Sequence, residues 1–197
     1  MKLILASNNK GKLRELREML SDMNIEVLSQ SEAGLKLDVE ETGSTFAENA
    51  LLKAQAACSA SGEAAVADDS GLMVDALGGE PGIYSARYGG GLSDAEKCEF
   101  LLKNLGSVKQ RSAKFVSSIA CVFPTGEIIR AEGECRGEIN YASKGENGFG
   151  YDPVFYIRDL GRTMAELSAE EKNAISHRGN ALREFKVKLK KYMEENK

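Results

Sequence analysis

Val66-Ala67-Asp68-Asp69-Ser70-Gly71 is the stretch around which the rest of the chain is read. Ala64, Ala65, Val66 and Ala67 form an apolar run of strand length, two carboxylates follow, and Ser70-Gly71 is a turn pair. The expectation is a buried strand that stops at the two aspartates and turns. In open α/β sheets, ligands bind at the carboxyl ends of strands. Two like charges this close are costly unless a cation or a proton settles them. The doublet therefore reads as a divalent-metal site with one acid free to handle a proton. The plain alternative is turn capping by one aspartate and exposure of the other.

Upstream, Leu3–Ala6 reads as a first buried strand and Ser7-Asn8-Asn9 as a loop that caps a helix over Lys12–Leu20, with Leu13, Leu16, Met19 and Leu20 at helical spacing. Ile25–Leu28 is a second strand. Backbone N–H groups and the helix dipole favour phosphate at Ser7-Asn8-Asn9-Lys10-Gly11-Lys12, and Lys10 and Lys12 add positive charge. The segment is not a P-loop, because the first Gly is missing and Leu13 stands where Ser or Thr would bind Mg²⁺. A capped helix with two solvated lysines is the alternative. Glu40-Glu41-Thr42-Gly43 is a polar loop, and Ser44 or Thr45 can cap the helix that follows, with Glu48 three residues after Thr45 completing a capping box; the helix runs to about Ser61, where Gly62 ends it. Phe46, Ala50, Ala54 and Ala57 make its narrow apolar face. Asn49 and Lys53 sit on the flank of that face, where a lysine either snorkels out or points into a cleft.

Downstream, Leu72–Leu77 is a strand or short packed segment, Gly78–Gly82 a turn cluster and Ile83–Gly91 a loop. Ser93 or Asp94 caps a helix to about Leu105. Two long strands, Ala113–Phe123 and Glu127–Tyr141, are joined through Pro124-Thr125-Gly126 as a hairpin. Gly145–Asp152 is a second glycine-rich loop, followed by a strand at Pro153–Ile157. In Gly148-Phe149-Gly150-Tyr151-Asp152, a ring between two glycines is open on both sides, which suits stacking on a planar base; a Phe that merely packs the core is the alternative. Ser168–Glu171 is a capping box opening a short helix. Ile175–Gly179 then interrupts the chain before a final amphipathic helix over Ala181–Met193.

The 197 residues suffice for one full core, and a single domain over the whole length is expected. A formal net charge of −4 argues against a surface that coats nucleic acid, without excluding a small basic pocket for a phosphorylated metabolite. Cys58, Cys98, Cys121 and Cys135 contain no C-x-x-C, and the chain has one His, so no Cys/His zinc site is expected, and buried thiols are. The apolar stretch Leu3–Ala6 is shorter than the roughly 7–15 residues of a secretory h-region. No run approaches the ~18 apolar residues of a membrane span. A cytoplasmic protein with no membrane partner is expected.

S-N-N-K-G-K, E-E-T-G-S-T-F-A-E-N-A-L-L-K-A, A-D-D-S-G-L, L-G-G-E-P-G-I-Y-S-A-R-Y, G-F-G-Y-D-P-V-F and A-E-L…E-K-N-A-I-S-H-R occur in order from about Leu3 to Leu182. Together they closely resemble the inosine/xanthosine triphosphate pyrophosphatases, which remove deaminated purine nucleotides from the nucleotide pool. The resemblance implies an α/β fold with a long twisted mixed sheet, flanking helices and two lobes around a central substrate cleft, as a homodimer. It implies Mg²⁺-dependent hydrolysis of ITP, dITP and XTP to the monophosphate and pyrophosphate. It assigns the phosphates to the Ser7-Asn8-Asn9-Lys10-Gly11-Lys12 loop, through Ser7, Asn9 and Lys12 with Lys53. Mg²⁺ falls to Glu41 and Asp69, and activation of the attacking water to Asp69. Ser70 is assigned a substrate contact and Phe149 the stack on the purine, with Gly150 and Tyr151 in the same loop. The resemblance also assigns Asp152, Lys172, His177 and Arg178 to the base pocket. Whether Glu40 or Asp68 is also a ligand is left open. Glu146-Asn147 departs from the plainer glycine run of relatives and touches none of these residues.

Overall fold

In the computed structural model, which describes residues 1–196, the chain divides into two compact units. The first comprises Met1–Asp69, Ser117–Gly133 and the residues from Asn180 on; the second comprises Ser70–Val116 and Glu134–Gly179. Strands β1 (Lys2–Leu5), β2 (Glu26–Ser29), β3 (Ala64–Val74), β4 (Ser112–Val122), β5 (Ile128–Ile139), β6 (Phe155–Ile157) and β7 (Arg162–Thr163) follow the order β2-β1-β3-β4-β5-β6-β7. The sheet is mixed: β1 is parallel to β2 and β3, whereas β6 is antiparallel to β5 and β7.

The first unit follows from the alternation of side chains along its strands. Helix α1 (Lys10–Met19) links β1 to β2, and α2 (Phe46–Ser61) links β2 to β3. Because β2 and β3 flank β1 on opposite sides, the two parallel crossovers run in opposite directions and their helices cover opposite faces. On one face Leu3, Leu5, Ala64 and Val66 pack with Leu16 of α1, with Leu20 at its C-cap, and with Phe185 and Leu189 of the last helix, α5 (His177–Glu195). On the other face Ile4, Ala65 and Ala67 meet Ala50, Ala54 and Ala57 of α2. Each fully buried Leu or Ile here contributes about 1.5–3 kcal/mol. The alanines serve close approach instead, bringing the α2 backbone near the sheet. Gly62, left-handed at φ 69°, ends α2 as its sequence position requires.

In the second unit α3 (Asp94–Leu105) packs Cys98, Leu101 and Leu105 against Leu72, Val74, Phe115, Ile139, Phe155 and Met164. The capping boxes at Ser93/Glu96 and Ser168/Glu171 are both closed, the latter opening α4 (Ala169–Ile175). All four cysteines are free and buried. No helix among the described residues is long and apolar enough to cross a membrane.

Three expectations are corrected. The chain does not turn at Ser70-Gly71, since β3 continues to Val74; Leu72 and Val74 are buried and extend the strand's alternation. Gly71 is not among the positive-φ glycines, so the Ser-Gly turn propensity yields to strand pairing. Helix α5 begins at His177, so Ser176, the C-cap of α4, is the one residue between the helices. At α2, Thr45 Oγ1 accepts from Glu48 N as expected, but the Glu48 carboxylate accepts from the N–H and hydroxyl of Ser44 instead of from Thr45 N.

Candidate active site

Strand alternation separates the aspartates of β3. Asp68 continues the series Ala64, Val66 toward α1, and Asp69 continues Ala65, Ala67 toward α2. Each finds a lysine on the helix it faces: Lys12 Nζ lies 2.9 Å from Asp68 Oδ1, and Lys53 Nζ lies 3.0 Å from Asp69 Oδ1. The two carboxylates therefore leave β3 on opposite faces, and their mutual repulsion is relieved by that geometry and by a cation beside each.

Lys53 also reaches Glu41 Oε1 at 2.7 Å, so one ammonium bridges two carboxylates. Burial opposes the charge on Lys53, but the two acids outweigh it and hold its pKa above the ordinary lysine value. Burial dominates at Asp69: desolvation, helped by the charge of Glu41, keeps its carboxyl above the usual aspartate range despite Lys53. Surplus negative charge and a carboxylate of raised basicity thus meet at one place.

Asn49, fully buried one turn before Lys53 on α2, organises this cluster. Its Oδ1 accepts from Gly43 N at 2.8 Å and its Nδ2 points at Asp69 Oδ2 at 3.4 Å. The loop carrying Glu41 and the strand carrying Asp69 are tied through this one side chain. A Cβ on Gly43 would stand 2.7 Å from Asn49 Oδ1, which is why a glycine fits there. The sequence reading placed Asn49 on the flank of the apolar face but gave it no role. The signal was an amide and a lysine four residues apart on one helix flank, a spacing that stacks them on one side. Glu40 is exposed and is not brought into the cluster.

The Ser7–Lys12 segment joins β1 to α1. Asn9 is the N-cap: its Oδ1 accepts from Gly11 N at 2.9 Å and Lys12 N at 3.1 Å, while Ser7 Oγ accepts from Asn9 N at 3.1 Å. Asn8 Oδ1 accepts from the N–H and hydroxyl of Ser31, tying the loop to the residues after β2. Lys10 is exposed in the first turn of α1.

In the second unit, Phe149 is 58% exposed with Lys172 Nζ 4.5 Å from its ring centroid. Buried Asp152 accepts from Lys172 Nζ and, at 2.8 Å, from Phe149 N, all on Oδ2. Gly148, at φ 80°, has no room for a side chain, because a Cβ would collide with Asp152 Oδ2 and lie 3.1 Å from Lys172 Nζ. Arg178 Nη2 donates to Ser70 Oγ at 3.3 Å, and the buried His177 ring stacks on Phe115 with centroids 4.8 Å apart. Tyr151 belongs to the core, its hydroxyl donating to Ser85 O at 2.9 Å.

Among the described residues no group of three or more His, Cys, Asp or Glu side chains is placed to hold a metal. Two converging carboxylates are available, Glu41 and Asp69. That donor set fits Mg²⁺, which takes hard oxygen ligands and is commonly bound by one or two carboxylates with substrate phosphates and waters completing the shell.

This α/β protein, in which one ammonium bridges two carboxylates at the sheet, belongs to the Ham1 family, whose sequence model matches residues 3–188. A dITP/XTP pyrophosphatase of Haemophilus influenzae is 52% identical over 95% of this chain and 98% of its own length. The Ham1 protein structure of Staphylococcus aureus superposes with a TM-score of 0.90 at 47% identity, covering 100% of both chains. That of Coxiella burnetii gives 0.93 at 43% identity, over 97% of this chain and 99% of its own.

Proposed function

We propose that this protein hydrolyses the deaminated purine nucleoside triphosphates ITP, dITP and XTP between the α and β phosphates, releasing the monophosphate and pyrophosphate. The observation that carries the reading is Lys53 bridging Glu41 and Asp69 on the face of β3 opposite the Lys12–Asp68 pair. The name borne by the Haemophilus relative supports it.

In this reading Lys12, Lys53 and the N-terminus of α1 hold the phosphates and spread the charge that builds on departing pyrophosphate. Ser7 and Asn9 shape that loop. Glu41 and Asp69 would hold Mg²⁺, which when bound polarises the phosphates and relieves the need for Lys53 to neutralise both acids. Asp69 orients a water toward the α-phosphorus and takes its proton; burial gives the carboxylate the basicity for that task. Phe149 stacks on the purine. Lys172, held over the ring by Asp152, offers a donor to the 6-oxo group and repels the 6-amino group of adenine, and His177, Arg178 and Ser70 complete the pocket. The chain acts as a single-domain, two-lobed homodimer that engages neither polymeric nucleic acid nor a membrane.

The direct test replaces the base. Asp69→Asn is expected to cut pyrophosphate release from ITP by the ~10²–10⁴ attributed to a general base, with the fold retained. Near-normal turnover in this variant would remove Asp69 from the chemistry.

A further inference from the structure

Phe149 sits where a loop ought to be loose. Glycines flank it on both sides, at φ 80° and 61°, its ring is exposed, and glycine loses the most conformational freedom on ordering. Its backbone is nonetheless held at several points. Phe149 N donates to Asp152 Oδ2, and the next amide, Gly150 N, donates to Asp94 Oδ2 at 2.7 Å. Two consecutive amides thus each have their own carboxylate, and such charge-assisted bonds are the strong ones. Cys98 Sγ donates to Gly150 O at 3.3 Å, so the peptide groups on both sides of the Gly150 Cα are gripped from α3.

Asp94 is the first residue of α3 after the Ser93 cap, a position where a carboxylate already complements the helix dipole. It divides its two oxygens. Oδ1 takes Lys97 one turn on in its own helix, and Oδ2 takes the amide 56 residues away in sequence. The Gly150 N–H is the largest influence holding the Asp94 carboxyl below its ordinary range, with Lys97 adding to it. The helix behind this grip is anchored, since Cys98, Leu101 and Leu105 are buried in the core of the second unit. Capping alone does not explain the arrangement: Ser93 and Glu96 already close the capping box without Asp94.

We propose that Asp94 is a positioning residue for base recognition: with Cys98 it clasps Gly150 and holds the Phe149 ring preorganised for the purine. This rests on the assignment of Phe149 to the purine stack. A ring fixed in advance spends no binding energy on ordering its loop, so the clasp acts on KM and not on the chemical step. Asp94 touches no reacting atom.

The experiment is a double-mutant cycle on the full chain, read by ITP kinetics and by amide hydrogen exchange at Gly150. Asp94→Ala is expected to raise KM for ITP by about three- to tenfold, up to the loss of one hydrogen bond to a charged group. Turnover at saturation holds, and exchange at Gly150 speeds up. Asp94→Asn keeps an acceptor oxygen and restores much of both. In a Phe149→Ala background, Asp94→Ala raises KM no further. If Phe149→Ala raises KM but Asp94→Ala is silent or simply additive with it, the clasp is refuted while the stacking assignment stands. If Phe149→Ala leaves KM unchanged, the stacking assignment falls and the clasp's role falls with it. Unchanged exchange at Gly150 in Asp94→Ala would overturn the clasp without reference to activity.

Discussion

Replacing Lys53 by Met keeps the length of the apolar stem and removes the ammonium that bridges Glu41 and Asp69. The Nζ lies 2.7 Å from Glu41 and 3.0 Å from Asp69. At an effective dielectric of ~20, unit charges about 3 Å apart attract by roughly 5–6 kcal/mol, before the opposing cost of desolvation. Breaking one partner out of a fully buried pair costs about 3–5 kcal/mol, and out of an exposed pair about 0.2–1. The three side chains are 16%, 26% and 13% exposed, between those limits. About 2 kcal/mol is therefore expected in the presence of EDTA, or a fall in thermal midpoint of about 4–8 °C for a chain of this size. With that ammonium gone, Glu41 and Asp69 should bind a divalent cation more avidly. Excess Mg²⁺ is expected to recover more of the midpoint in Lys53→Met than it adds to the wild type, by the linkage that stabilises any folded state that binds ligand. Pyrophosphate release from ITP should fall by ~10–100-fold for the lost charge-assisted contact to phosphate. Differential scanning fluorimetry with and without MgCl₂, beside a pyrophosphate assay, reads all three. An unchanged midpoint in EDTA together with a wild-type response to Mg²⁺ would refute the claim that Lys53 neutralises the acids.

Asn49→Ala should cost about 1–3 kcal/mol, because Gly43 N loses its acceptor. It should also lower kcat beyond what its stability loss explains, since the Glu41 loop and Asp69 are no longer tied together; a stable variant with wild-type kinetics would make Asn49 purely structural. Ser117 Oγ is buried with no hydrogen-bond partner among the described residues. Ser117→Ala is thus expected to leave stability unchanged or raise it by about 1 kcal/mol, checked by urea denaturation, and a clear loss would contradict the assignment. The Asp94 carboxyl has a lowered folded pKa, so its contribution is full above the ordinary aspartate value of about 3.9 and is lost as pH falls through the lower folded value. Gly150 amide exchange, corrected for its intrinsic pH dependence, should rise in that window and not in Asp94→Asn.

Much of the fold was legible because its signals are local. Thr45 and Gly62 bracket α2, a cap at Ser93 and a capping box at Ser168 open α3 and α4, and Pro124–Gly126 marks the turn between β4 and β5. The error at Ser70-Gly71 has a physical cause: turn propensity is a local quantity, whereas the pairing that draws the chain on to Val74 is tertiary. That error concealed a rule available from parity alone. Once β3 is continuous, Asp69 must share a face with Ala65 and Ala67, and Asp68 with Ala64 and Val66. Their separation and their different lysines then follow from the alternation. Lys53 was legible because a lysine beside an alanine face needs a reason. Asp94 was not, because its role depends on an amide 56 residues away in sequence. β7 is two residues long and carries no periodicity from which it could be read.

The central claim is that Asp69, Glu41 and Lys53 serve hydrolysis of deaminated purine triphosphates. Pyrophosphate release from ITP, dITP, XTP, GTP and ATP, with Mg²⁺ and with EDTA, tests it most directly. Release that requires Mg²⁺ and favours ITP, dITP and XTP over ATP by about a hundredfold or more is the expected result, since a donor held for a 6-oxo group disfavours a 6-amino group. Binding of ITP with no pyrophosphate formed, or equal turnover of ATP, would contradict it.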